Sequence, residues 1–132
     1  MTDDARIPCE QVFVLTQEDF DRFARISGDH NPIHVDPGFS ARTRFGSTVS
    51  HGMLLFSVVR SLLAQTWPGS LLRSQSLMFP SPAYAGDTLE LVVEELRREG
   101  PVLFLKTTIT RPDGEPCLTG ECQLTLNGEQ TP

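Results

Sequence analysis

Within SGDHNPIHVDP, residues 27–37, stand two aspartates, two histidines, an asparagine and two prolines. Asp29 and His34 are five positions apart, across the bend at Asn31–Pro32. A carboxylate and an imidazole brought together this way can share one water or one substrate atom. Such a pair suits general acid–base chemistry, since histidine titrates near neutrality and burial tunes a carboxylate upward. The structural alternative makes Asp29 a turn residue and His34 a satisfied surface histidine, and spacing alone favours it. Asp36 has its own explanation as a helix N-cap before Pro37. Asn31 before proline is a common turn residue, and His30 reads as structural or exposed. A metal held by Asp29, His30, His34 and Asp36 matches no established ligand spacing.

A second feature lies at His51–Gly52. A helix beginning there presents unpaired N–H groups and a partial positive charge. Glycine lets a ligand approach the backbone closely, so a carbonyl oxygen gaining negative charge finds a stabilising donor. Tight packing is the alternative reason for a glycine here. The set includes no plausible serine or cysteine nucleophile placed beside a base.

These residues need elements to position them. QVFVL at 11–15 reads as a short strand. Thr16 caps a following helix, with Asp19 three residues on, and Phe20, Phe23 and Ala24 form its apolar face. Ser27–Gly28 ends that helix, which makes the titratable stretch a loop directly after it. Asp36–Pro37 starts a short helix through about Ala41, and residues 42–51 are irregular. GMLLFSVVRSLLAQTW, 52–67, is apolar almost all round and so reads as a buried helix, stopped by Pro68–Gly69. The remainder is strand. Residues 71–79 give one, broken by PSP at 80–82. Residues 88–95, 102–110 and 118–126 give three more, with Gly100–Pro101 and Asp113–Gly114 as hairpin turns. One buried helix with about four antiparallel strands after it is best covered by a curved sheet wrapped around it, an α+β hot-dog fold.

The 132 residues fit a single domain over 1–132, with loose ends at about 1–6 and 127–132. The net charge of −6 and the scatter of the eleven basic residues exclude a sequence-independent nucleic-acid surface. The three cysteines, Cys9, Cys117 and Cys122, read as free thiols. The acidic start MTDDARIPCEQ is not a signal peptide, and no apolar run is long enough to span a bilayer. A soluble, cytoplasmic protein without a membrane partner is expected.

SGDHNPIHVDP, then Phe45–Gly46, then VSHGML at 49–54 resembles the MaoC-like (R)-specific enoyl-CoA hydratases, also called hydratase 2. The likeness runs from about Thr16 to Leu126. It implies a hot-dog domain that forms a homodimer by joining two sheets. It also implies reversible addition of water to a trans-2-enoyl thioester of coenzyme A or acyl carrier protein, a hydro-lyase reaction of fatty-acid metabolism. By this resemblance Asp29 and His34 are the catalytic pair and the Gly52 N–H holds the thioester oxygen. Asn31, His51 and Met53 bind substrate or shape the site. No metal or redox cofactor is implied, because the thioester itself acidifies the α-position.

Two positions depart from the family pattern. Some members carry a small polar residue eight positions past the glycine of HGM, where this chain has Arg60; turned inward, it would lower both catalytic pKa values. The segment LMFPSPAYAGDTL, 77–89, lacks a basic residue for the carrier's phosphates, leaving Arg42, Arg44, Arg73 and Arg97 as substitutes. Two alternatives remain: a hot-dog acyl thioesterase, and a non-catalytic acyl-binding partner subunit. The first is disfavoured because residues 53–64 contain no Asp or Glu, the second because both Asp29 and His34 are present.

Overall fold

The computed structural model describes residues 9–127. The expected loose ends lie outside that range, apart from Asn127, whose side-chain amide donates to the Pro68 carbonyl at 3.1 Å. Strand β1, Cys9–Val14, leads into helix α1, Gln17–Ser27. Thr16 closes a full capping box with Asp19, and Gly28 ends the helix in the left-handed conformation at φ 80°. Phe20 and Ala24 sink into the core, as the 3.6-residue spacing requires.

The stretch 27–37 is less irregular than its composition suggests. It contains a single helical turn, α2, Pro32–Val35, and runs into a second, α3, Pro37–Ser40. Each turn begins with proline after a side chain that caps it. The Asn31 Oδ1 accepts from the Ile33 N–H at 3.2 Å, and the Asp36 Oδ1 accepts from the Phe39 N–H at 3.0 Å. A turn held by its cap needs no amphipathic pattern, which is why periodicity missed α2.

Helix α4, Gly52–Thr66, lies against an antiparallel sheet of five strands. After it come β2, Leu71–Gln75, β3, Thr88–Glu99, β4, Val102–Thr110, and β5, Pro116–Thr125. The order across the sheet is β1-β3-β4-β5-β2, so the two strands nearest α1 and α4 in sequence become the edges. Leu55, Val59, Leu62 and Leu63 of α4 share one core with Leu89, Leu91 and Val93 of β3, Leu103, Leu105 and Ile109 of β4, and Leu118, Cys122 and Leu124 of β5. This is the α+β hot-dog arrangement expected from the sequence.

Three details correct that expectation. Helix α4 is not buried all round: Met53 is 54% exposed, and Leu54, Phe56 and Val58 are only partly covered, because the sheet of one chain reaches a single face. Strand β2 stops at Gln75, and beyond it the pairing continues as a bond from the Ser76 N–H to the Glu121 carbonyl at 2.9 Å and an isolated bridge from Met78 to Thr119. Strand β3 runs past residue 95 to Glu99, because a register shift between Glu95 and Arg97 breaks the alternation that marked it in sequence.

Candidate active site

The loop after α1, the turn α2 and the N-terminus of α4 meet on one wall of a cavity of about 910 Å³. Several bonds hold α2 in place. The Gln17 side-chain amide donates to the His34 carbonyl at 2.9 Å, and the Val49 N–H donates to the Ile33 carbonyl at 2.9 Å. The Ser40 hydroxyl donates to the Ile33 carbonyl at 3.1 Å.

His34 is buried, contrary to a surface-histidine reading. Its Nδ1 lies 2.8 Å from the Val49 carbonyl. A carbonyl only accepts, so Nδ1 carries the proton and Nε2 is left with a lone pair. That Nε2 stands 3.8 Å from Oδ2 of Asp29. The Asp29 carboxylate is half exposed toward the cavity, and its Oδ1 accepts the Asn31 N–H at 3.2 Å. Its own N–H donates to the Ser27 hydroxyl at 3.1 Å. The 3.8 Å separation is long for a direct hydrogen bond, but a water lying to one side of the pair can bridge the two groups at ~2.8 Å from each.

His51 is 2% exposed. Its Nε2 donates to the Asp29 backbone carbonyl at 3.0 Å. Its ring stacks on His34 at 3.9 Å with 25° between the planes, and Phe23 meets it edge-on at 4.9 Å. Burial, first of all, pushes the His51 pKa below 6.5, and the neighbouring His34 and His30 add to this. Asp29, His34 and His51 each offer a possible metal-ligand atom within 4.8 Å of the others. One nitrogen of each ring is already engaged by a backbone carbonyl, Nδ1 of His34 by Val49 and Nε2 of His51 by Asp29.

Gly52 is the first residue of α4, so its amide has no acceptor within the helix. A Cβ built there would meet the Phe79 ring at 2.7 Å. The ring therefore packs directly over Gly52 from across the cavity.

Of the residues singled out in sequence, Asp29, His34, His51, Gly52 and Met53 line the cavity. Asn31 does not; it is an exposed cap whose backbone steadies the Asp29 carboxylate. His30 is exposed. Arg60 is not part of the wall either. Its Nη1 is buried without a hydrogen bond, and its charge acts on the Cys122 thiol. Of the four arginines considered for the carrier, only Arg44 reaches the cavity, lying 4.8 Å from the Phe45 ring. Arg97 is engaged by Glu99 at 2.7 Å and by the Phe104 ring at 3.8 Å.

Sequence reasoning missed Phe79 and Arg111. Phe79 sits beside the PSP break and carries no periodic signal. Arg111 lies in the β4–β5 turn, pairs with Asp113 at 2.8 Å and donates to the Pro82 carbonyl at 3.2 Å. Only the fold brings that turn to the cavity. The cysteines are free, and burial raises Cys117 and Cys122 to about 11. Among the described residues, no helix is long and apolar enough to cross a membrane.

Comparison with known proteins supports the fold and shows the family. The family profile described as MaoC like domain matches residues 5–103. The (R)-specific enoyl-CoA hydratase of Aeromonas caviae is 43% identical over 108 residues, covering 79% of this chain and 81% of that protein. The solved (R)-hydratase from A. caviae involved in PHA biosynthesis superposes with a TM-score of 0.82 at 36% identity, covering 91% of this chain and 94% of that one. R-hydratase PhaJ1 from Pseudomonas aeruginosa, in its unliganded form, gives 0.85 at 28% identity, covering 90% of this chain and 79% of that one. A mitochondrial 3-hydroxyacyl-[acyl-carrier-protein] dehydratase of Arabidopsis thaliana is 36% identical over 83 residues, covering 63% of this chain and 50% of that protein. The chain belongs to the MaoC-like family.

Proposed function

We propose that this protein is an (R)-specific 2-enoyl-thioester hydratase and, in reverse, a 3-hydroxyacyl-thioester dehydratase. The observation that carries the reading is the 3.8 Å approach of Asp29 Oδ2 to His34 Nε2, close enough for one water to bridge both, on a cavity wall that also includes Gly52.

The water donates one hydrogen bond to each group. As its oxygen attacks the β-carbon, His34 Nε2 takes one of its protons and the C=C π pair moves toward the thioester. The enolate oxygen that develops is held by the Gly52 N–H at the positive end of α4. The imidazolium, stabilised by the Asp29 carboxylate, then returns its proton to the α-carbon on the face it came from. The oxygen keeps its other proton as the new hydroxyl. One group serving as base and then acid makes the addition syn. The chemistry requires no metal or redox cofactor.

Arg44 and Arg111 line the cavity and give the carrier's phosphates a cationic path. The apolar side of α4 left uncovered around Met53 suits a homodimer of this chain. Both belong to the proposal, with coenzyme A or acyl carrier protein as the thiol partner.

The test is to incubate purified protein with a short trans-2-enoyl-CoA. Loss of the conjugated thioester absorbance should yield the (R)-3-hydroxyacyl-CoA without release of free thiol. Free thiol without hydration identifies a thioesterase, and binding without turnover identifies an acyl-binding subunit; either result removes the reading.

A further inference from the structure

Three groups of the site come from three different elements: Asp29 from the loop after α1, His34 from α2, and Gly52 from the start of α4. One side chain reaches all three. His51 directly precedes Gly52 and occupies the N-cap position of α4, yet makes no side-chain capping bond there. Its Nε2 is instead 3.0 Å from the Asp29 carbonyl, and its ring lies against that of His34 at 3.9 Å.

We propose that His51 is a positioning residue: a neutral imidazole, protonated at Nε2, that ties the Asp29 loop to the N-terminus of α4 and supports the plane of His34. This role rests on the hydratase reading above. The tautomer follows from the bond, because a carbonyl offers only an acceptor. Nδ1 is then an unprotonated nitrogen, and it is buried without a hydrogen-bond partner. A second proton on this ring would be a buried charge with no acceptor, at the positive end of a helix and stacked on another imidazole. The titratable groups around it are Asp29, His34 and His30, and only the aspartate favours the cation. A neutral His51 lets His34 accept a proton during turnover without facing a like charge across the stack.

His51→Phe keeps a flat ring against His34 but loses the donor, whereas His51→Gln keeps an N–H. Losing a buried bond that fixes a reacting group should lower kcat ~10- to 100-fold. KM should stay within about threefold, and His51→Gln should recover most of the loss. Wild-type kcat in His51→Phe, or no recovery in His51→Gln, overturns the proposal. Ring ¹⁵N NMR on the wild-type protein decides the matter even where a variant does not fold. At pH 6.5 His51 should be mainly neutral and carry its proton on Nε2; a proton on Nδ1, or a half-protonated ring, overturns the proposal. That readout needs no turnover, so absence of hydration would remove the functional reading while the clamp was still judged on its own.

Discussion

Replacing Gly52 by alanine separates the stability of α4 from the chemistry at its N-terminus. Gly52 is not among the glycines with positive φ, so alanine brings no backbone strain. Its methyl would meet Phe79 Cζ at 2.7 Å and Cε2 at 2.9 Å. These atoms are the far end of a rotatable side chain that is 45% exposed, so the ring can swing away. Alanine in place of glycine also favours the helix by up to ~1 kcal/mol, less at a first position. The two effects nearly offset, and Tm should move by no more than a few degrees. Activity should respond very differently. The new methyl would project toward Phe79 into the cavity that Gly52 lines, and should crowd a thioester oxygen approaching the Gly52 N–H. Loss of one oxyanion donor costs ~2.7–4 kcal/mol, or a fall of ~10²–10³ in kcat. The assay is the initial rate of enoyl-CoA hydration at saturating substrate, beside a thermal melt. Gly52→Ala combined with Phe79→Ala removes the steric partner. If Gly52→Ala retains wild-type kcat, or if the double variant recovers it, the amide is not the oxygen's donor and the reasoning fails.

Acidification should destabilise the protein through His51. The unfolded chain takes up a proton near pH 6.5, but the folded chain resists it, so stability falls as pH drops below that value. The Tm of the wild type should therefore fall relative to His51→Gln between pH 7.5 and 5, and parallel curves would exclude the effect. Arg44→Glu should raise KM for the CoA thioester with little change in kcat, and more so at low salt; an unchanged KM removes Arg44 from the carrier path. Dialysis against EDTA should leave hydration untouched, because the thioester supplies the acidity a metal would provide; loss of activity restored by a divalent cation would give the Asp29, His34 and His51 cluster a different role.

Much of this fold was readable because its elements carry local marks. Thr16 with Asp19, Asp36 with Pro37, and the turns at Gly100 and Gly114 announce themselves through capping and backbone conformation. Alternation placed Leu89, Leu91 and Val93 inward, and they are fully buried. The α2 turn escaped because one capped turn has no period to detect. The exposed side of α4 escaped because hydropathy reports how apolar a face is, not how far a sheet reaches. At the site, the Asp29–His34 pair came from the family resemblance, since spacing alone favoured a structural reading, and the packing of His51 against His34 left no mark in the sequence. Stacking and a bond spanning 22 positions in sequence exist only after the chain has folded. Phe79 and Arg111 were hidden for the same reason.

In the proposed reaction Asp29 and His34 act on one water. The most direct measurement is the hydration rate of a short trans-2-enoyl-CoA by Asp29→Asn and His34→Ala, each verified to fold by circular dichroism. Each variant should lose at least ~10²-fold in kcat. The double variant should fall little further, since the two residues act as a unit. Rates near wild type in both single variants would contradict that role.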